Sequence, residues 1–231
     1  MKFRPQEIQY VAVIVLQFMI IGCLAAIGTT VTVGCQDGKK DRPKQYAADS
    51  RFNPEYRAVF EGWTKEDRIY KGFDCKLIAA ATYKSMPFRK AYVKEYNKLY
   101  RLSEAEAEKL LRDQEDAAAT YDEFFLAAYV PEKNWDDFSD KKSIWKIVLT
   151  NGAGGRRAPV EIRKLERNNV VLKHFFPYVT PWKSVYLLRF PVQQNKTEES
   201  REGAADTASL TLSVSSVLGS AEMTWDLTGL E

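Results

Sequence analysis

At residues 209–216 the chain reads Ser209-Leu210-Thr211-Leu212-Ser213-Val214-Ser215-Ser216, its cleanest alternation of polar and apolar residues. The alternation predicts a β-strand with one buried face, because successive side chains of a strand point to opposite sides of the sheet. Met223, Trp225 and Leu227 continue the pattern after Gly219-Ser220. Together the two segments predict a β-hairpin at the end of the chain.

Several upstream segments also have the composition of strands, because they are short, rich in β-branched and aromatic residues and closed by turn residues. These segments are Cys75 to Thr82, Glu123 to Val130, Ser143 to Thr150, Ala158 to Leu165, Val170 to His174 and Ser184 to Phe190. Three alanines in the first segment leave a helix open as an alternative. Pro54 to Phe73 has no clear pattern and predicts only irregular structure with a short helix or strand.

Two helices are predicted between the strands, at about residues 86–118. Ser85-Met86-Pro87 begins the first helix, because a proline near the first helical position gives up no hydrogen bond that the helix needs. Ser103 and Glu106 form a capping-box pattern, which predicts a second helix that runs to about Ala118. The residues expected on the inward face of the first helix are Phe88, Tyr92, Tyr96 and Leu99.

Seven or eight strands with one helical insertion predict a mainly β fold of the α+β class. The expected architecture is a β-sandwich, either immunoglobulin-like or a half-open barrel, in which the two-helix insert caps one edge or one open end. The domain is expected to span residues 56–231, a length that is ample for one hydrophobic core.

The N-terminal region has the three-part pattern of a secretion signal. Met1 to Tyr10 carries Lys2 and Arg4, Val11 to Ile27 is apolar apart from one glutamine, and small residues lead to Cys35. A glycine directly before a cysteine at the polar boundary resembles the lipobox of bacterial lipoproteins. The resemblance implies a signal peptide over residues 1–34 and a lipid on Cys35. The polar stretch that follows predicts a flexible tether over residues 35–55.

Two other fates of this region stay open. Ile20-Ile21-Gly22 precedes Cys23 and fits the lipobox pattern, but lipidation there would leave an apolar start to the mature chain. An uncleaved anchor is the second alternative, because Val11 to Val33 is about long enough to cross a hydrocarbon core of ~30 Å. Cys35 would then be able to form a disulfide with Cys75. In each case the domain lies beside a membrane and outside the cytoplasm.

Location and partners follow from the same region and from the charge. Gln36 rather than aspartate follows the lipid site, which under the enterobacterial sorting rule favours the outer membrane of the cell envelope. The formal net charge is only +3. Such a balance creates no strong electrostatic demand for nucleic acid, so the membrane and an envelope protein are the expected partners.

Short motifs between residues 124 and 191 resemble a type of uncharacterised bacterial lipoprotein domain. The motifs are Phe124 to Tyr129, Trp135-Asp136-Asp137, Ser143 to Ile147, Pro159 to Ile162, Phe175 to Tyr178, and Pro181-Trp182 through to Phe190-Pro191. The resemblance covers about a third of the chain. It implies a secreted, lipid-anchored β domain, and it carries over no catalytic residue.

The segment Phe175 to Trp182 is the strongest candidate for a binding surface. Two prolines stiffen it, and aromatic residues fill half of its positions. Aromatic side chains on a rigid loop suit contact with a protein partner, for which Phe176, Tyr178 and Trp182 are the expected residues. The alternative is that these rings fill one end of the sandwich core.

Patterns that indicate catalysis or metal binding are weaker. Ser143 and Lys146 match the S-x-x-K spacing, but in a predicted strand this spacing sends the two side chains to opposite faces. The aspartates within 136–140 offer oxygen ligands for calcium, although more ligands are normally needed. His174 has no cysteine or second histidine with which to form a zinc site. No catalytic residue, metal or cofactor is predicted.

The leading hypothesis is a membrane-anchored lipoprotein of the bacterial cell envelope with a non-catalytic structural or protein-binding role. The alternative is an extracytoplasmic module that binds a small ligand or carbohydrate through Trp135, Trp145 and Trp182. An envelope hydrolase is the third hypothesis, and it would need a serine or a carboxylate pair beside His174. The basic stripe on the first helix either contacts an anionic partner or pairs with the acidic second helix; its residues are Lys90, Lys94, Lys98 and Arg101.

Overall fold

The computed structural model describes residues 53–192 and 209–228. Its helices are α1 (Pro54–Trp63), α2 (Met86–Tyr100), α3 (Glu104–Thr120) and α4 (Val170–Phe175). Its strands are β1 (Thr64–Lys71), β2 (Asp74–Tyr83), β3 (Tyr121–Tyr129), β4 (Lys146–Asn151), β5 (Arg156–Arg157), β6 (Glu161–Leu165), β7 (Ser184–Pro191), β8 (Ser209–Ser216) and β9 (Gly219–Asp226). The predicted signal peptide and lipid site, and most of the tether, lie outside the described residues.

The strands form two antiparallel sheets. The larger sheet has the order β1-β2-β3-β7-β6, and the smaller has the order β5-β4-β8-β9. Phe124 on β3 lies 5.1 Å, between ring centroids, from Trp225 on β9, so the sheets pack on each other through a shared aromatic core. The prediction of a mainly β fold of the α+β class with a helical insert is confirmed, and the described strands do not close into a barrel.

Strands β1 and β9 form the seam where one edge of the larger sheet meets one edge of the smaller. The backbone N–H of Glu222 donates to Asp67 Oδ2 at 2.7 Å across this seam. Trp225 Nε1 donates to the carbonyl oxygen of Trp63 at 2.8 Å. Because β1 and β9 are not paired as neighbours in either sheet, the Asp67 side chain links the two edges across the seam. The Trp225 side chain links β9 to the end of α1.

The two helices of the insertion begin at the predicted signals. The Ser85 side chain accepts from the backbone N–H of Phe88, and Ser103 and Glu106 form both hydrogen bonds of a capping box. Helix α2 ends where Arg101 adopts a left-handed conformation with φ of 52°. The expected inward face is confirmed at Phe88, which is fully buried, but not at Leu99, which is 46 % exposed at the end of the helix.

Two segments differ from the sequence-based expectation because of local capping. The segment from Val170 to His174 is not a strand but lies in helix α4, since Asn169 Oδ1 accepts from the backbone N–H of Val171 and Leu172. The Asn53 side chain similarly accepts from the backbone N–H of Glu55 at the start of α1. The region predicted to be irregular therefore contains a helix followed directly by a strand.

Two strands are shorter than predicted. The segment predicted from Ser143 becomes regular only at β4, because Ser143 uses its side chain to accept from the backbone N–H of Trp145. The segment predicted from Ala158 becomes regular only at β6, and Val160 before it is 62 % exposed. In both cases irregular backbone occupies the first residues of the apolar segment.

A glycine at the seam provides a test of the packing between β1 and β9. Gly219 has φ of +137°, and a Cβ atom there would lie 2.7 Å from Ile69 Cγ2. We expect Gly219→Ala to lower the free energy of unfolding by about 1–3 kcal/mol, because both the backbone and the contact become strained. Denaturant unfolding followed by tryptophan fluorescence measures this change.

Gly62 in α1 is the matched control, since a Cβ atom there would meet nothing within 4 Å. Alanine favours a helix over glycine by about 0.5–1 kcal/mol, so Gly62→Ala should leave stability unchanged or raise it slightly. Equal stability of the two variants would contradict the tight approach of β9 to β1.

Candidate functional site

The segment between α4 and β7 is anchored by two aromatic residues that were expected to contact a partner. Phe176 is 4 % exposed and stacks on Phe125 with 3.7 Å between ring centroids. Tyr178 is 3 % exposed, and its hydroxyl donates to the carbonyl oxygen of Phe125 at 3.0 Å. Both rings belong to the core, so neither is available to a partner in this structure. Phe176 and Tyr178 therefore follow the alternative prediction, in which the rings of this segment fill the core.

Trp182 is the one of the three expected contact residues that lies at the surface. Its side chain is 72 % exposed, next to the start of β7. The backbone N–H of Lys183 donates to the carbonyl oxygen of Thr180 at 3.2 Å, which closes a turn around Trp182. Lys183 Nζ lies 5.9 Å from the centroid of the buried Tyr178 ring. Contacts with buried aromatic rings thus hold the loop in place, and the loop presents a large aromatic side chain to solvent.

The other two tryptophans of the ligand-binding hypothesis differ in exposure, since Trp135 is 38 % exposed and Trp145 is buried. Trp145 is 4 % exposed and stacks on Phe138. Its Nε1 donates to the carbonyl oxygen of Trp135 at 2.7 Å, which holds the short helical turn that contains Trp135. Because Trp145 is buried, it cannot offer its ring face to a carbohydrate.

A buried carboxylate, Glu123, is the centre of the strongest electrostatic cluster among the described residues. Its side chain is 1 % exposed and accepts from Lys84 Nζ at 2.8 Å and Arg89 Nη2 at 2.8 Å. Its other oxygen accepts from Arg189 Nε at 2.7 Å. Arg189 also contacts Glu161 Oε2 at 2.8 Å. Strands β3 and β7 are therefore joined to α2 through one carboxylate, and Arg189 extends the cluster to Glu161 on β6.

The pKa of Glu123 shows which contribution dominates. Burial raises the pKa of this carboxyl. The charge of Lys84 and the hydrogen bonds from Lys84 and Arg189 lower the pKa by more than burial raises it. The net result is a pKa of about 2 in place of the ordinary 4.5. Glu123 therefore remains ionised and occupied by its partners, which suits a structural group better than a general acid.

Replacement of Glu123 tests this role. Glu123→Gln leaves Lys84 and Arg89 without their counter-charge, so the free energy of unfolding at pH 7 should fall by about 3–5 kcal/mol. The folded-state pKa is depressed, so the stabilisation by Glu123 is complete above pH 4.5 and is lost as the pH falls towards 2. Denaturant unfolding at several pH values should show a larger loss of stability below pH 4.5 in the parent chain than in the variant.

Glu108 on α3 is a suitable control, because its contact with Arg112 is a solvent-exposed pair. Glu108→Gln should change the free energy of unfolding by less than about 0.5 kcal/mol. A Glu123→Gln variant as stable as the Glu108→Gln variant would show that the cluster is not needed for the fold.

His174 faces a second buried carboxylate. His174 Nε2 lies 3.8 Å from Glu95 Oε1, and Glu95 Oε2 accepts from Asn53 Nδ2 at 3.0 Å. Glu95 is 4 % exposed, while the His174 side chain is 30 % exposed. The hydrolase hypothesis required a serine or a pair of carboxylates beside His174, whereas these contacts supply one carboxylate and an amide. The three side chains join α1, α2 and α4.

The aspartates of the calcium pattern make local contacts, and Ser143 of the S-x-x-K pattern accepts from the backbone N–H of Trp145. Asp137 accepts from Lys164 Nζ at 2.8 Å, and Asp136 is reached by Ser184 Oγ at 3.4 Å. Asp140 accepts from the backbone N–H of Lys142, which closes a turn before β4. Within residues 53–192 and 209–228, no group of three or more His, Cys, Asp or Glu side chains converges as a metal site would require.

The basic stripe on α2 pairs with a different helix from the one expected. Lys94 Nζ contacts Glu55 on α1, and both side chains are 70 % exposed. The acidic residues of α3 contribute differently, since Glu108 pairs with Arg112 on the same helix. The stripe is thus partly neutralised across α1 and α2.

Sequence reasoning did not single out Glu123 or Glu95, because a buried glutamate and an exposed one look alike until the fold places them. It also passed over Tyr70, Phe73 and Val217, which are exposed at turns. A signal existed for the last two, since each stands beside a turn between predicted or observed strands where a polar residue is usual.

Comparison with known proteins found no matching family model, no matching curated protein and no matching solved structure. Of the helices within the described residues, none is both long and apolar enough to cross a membrane. The protein is thus a mainly β domain with a helical insertion, and one of its loops exposes Trp182 to solvent.

Proposed function

We propose that this chain is a membrane-anchored lipoprotein of the bacterial cell envelope with a non-catalytic, protein-binding role. The N-terminal pattern up to Cys35 supports the anchor, and its polar continuation supports a tether that holds the domain near the bilayer. Outer-membrane sorting is favoured by Gln36. The observation that carries the binding role is the exposed Trp182 on a loop whose underlying rings are buried.

A rigid loop that exposes tryptophan suits protein recognition for two physical reasons. Tryptophan is enriched among the residues that dominate binding energy, since it buries a large area for few rotatable bonds. The anchoring of Tyr178 and Phe176 means that little loop entropy is lost when a partner binds. Lys183 Nζ, 5.9 Å from the centroid of the buried Tyr178 ring, adds a cation–π contact that holds the loop in place.

The non-catalytic role is supported by how the buried ionisable groups are used. Glu123 is held by three cationic side chains, and its low pKa does not suit proton transfer near neutral pH. A small-ligand module remains the alternative function, but it loses support because Trp145 is buried. The hydrolase hypothesis would use His174, whose Nε2 lies 3.8 Å from Oε1 of the buried Glu95.

The anchor is tested by the intact mass of the protein extracted from membranes. We expect the mass of residues 35–231 plus acyl chains, because cleavage before Cys35 and lipidation occur together in lipoproteins. Cys35→Ala should abolish this species, while Cys75→Ala should leave it unchanged. A full-length mass without lipid would contradict lipidation and would favour an uncleaved anchor.

The binding role is tested by affinity purification of the tagged full chain from solubilised envelope membranes. Trp182→Ala should reduce recovery of a bound envelope protein by about 30-fold, which corresponds to about 2 kcal/mol for a central aromatic contact. Trp135→Ala is the matched control, because Trp135 is also a tryptophan but is less exposed, at 38 %, and lies outside the Trp182 loop. Equal recovery with both variants would show that Trp182 does not contact the partner.

A further inference from the structure

Two hairpin turns carry exposed apolar side chains at their tips. Gly72 and Phe73 connect β1 to β2, and Val217 and Leu218 connect β8 to β9. Phe73 is 105 % exposed and Val217 is 94 % exposed. Side chains with such exposure rest on no other part of the domain, so the described fold gains no burial from them.

The two turns lie beside each other at the seam between β1 and β9. Gly219, directly after the second turn, lies so close to Ile69 that a Cβ atom would be 2.7 Å from its Cγ2. Ile69 precedes Tyr70, which is 51 % exposed beside the first turn. The bond from the Glu222 N–H to Asp67 fixes the two hairpins together. We call Tyr70, Lys71, Phe73 and Val217 the hairpin-tip surface.

The turns themselves do not require apolar residues at these positions. Gly72 supplies the positive φ of +64° that a tight two-residue hairpin needs at its first central position. In the second turn the backbone N–H of Leu218 donates to Ser216 Oγ at 3.0 Å, and Leu218 packs partly against the core. Phe73 and Val217 are thus free to serve contact with something outside the domain.

The charges beside the tips indicate the chemistry of that contact. Lys71 is exposed next to Gly72 and Phe73. Asp74, on the other side, lies 3.4 Å from Lys76 Nζ, which offsets its charge. Lysine beside exposed aromatic and aliphatic side chains suits the boundary between anionic headgroups and acyl chains, where tyrosine is also favoured.

We propose that the hairpin-tip surface inserts into the interfacial region of an anionic lipid bilayer. Phe73 is 105 % exposed and Val217 is 94 % exposed, so their side chains can enter a lipid interface without a complementary groove. The inference rests on the proposed membrane anchor, because a tether keeps the domain at a high effective concentration beside the bilayer. The domain is then held at the membrane by lipid at one point and by two turns at another.

Photocrosslinking of the full chain in vesicles tests this contact. The photoreactive residue p-benzoylphenylalanine replaces Phe73, Val217 or Val170, one at a time, in vesicles of phosphatidylglycerol and phosphatidylethanolamine. Val170 is the matched control, because it is an exposed valine, at 78 %, outside both turns. After illumination, mass spectrometry quantifies the protein that has gained one phospholipid, and flotation measures the protein that remains on the vesicles.

We expect lipid adducts at positions 73 and 217 in at least about tenfold excess over position 170, as insertion of apolar side chains requires. Val217→Asp should lower the yield at position 73, whereas Val170→Asp should not. Chains that float with the vesicles but show equal yields at all three positions would overturn the tip contact and leave the anchor standing. Crosslinks between copies of the chain would also overturn it, and chains that fail to float would contradict both proposals.

Discussion

The ionised carboxylate of Glu123 is the constraint on which the join between helices and sheet depends. Lys84 lies at the end of β2, Arg89 lies on α2 and Arg189 lies on β7, and all three contact this one side chain. Arg89 also donates to Gln114 on α3 at 2.9 Å. A buried charge of either sign would be costly alone, so each member of the cluster stabilises the position of the others.

This cluster places the helical insertion over one face of the larger sheet while the smaller sheet covers the other. Phe124 points to Trp225 in the smaller sheet, whereas its neighbour Phe125 stacks on Phe176 on the opposite side. A central strand with both faces covered has no face towards solvent, which explains why β3 is buried almost continuously. The alanines at 79–81 on β2 are fully buried for the same reason.

Trp182 and the hairpin tips are among the apolar side chains that the core leaves exposed. Trp182 is presented by a loop fixed from beneath, and the hairpin tips extend from the seam between β1 and β9. Both features consist of a rigid support and an apolar side chain that contributes nothing to the core. A domain tethered to a membrane could use one surface towards the lipid and the other towards a protein.

The sequence by itself determined the local features, because these depend on neighbouring residues. Alternation over 209–216 predicted β8, Ser103 with Glu106 predicted the start of α3, and the mainly β class with a helical insertion followed. Local capping was also decisive at α4, but Asn169 was overlooked because the β-branched residues after it resembled a strand. Only the tertiary structure decided which aromatic rings are buried, since Phe176 and Trp182 belong to the same apolar segment and differ only in what packs against them. Likewise, the glutamates become distinct only when distant strands and helices bring three cations to Glu123.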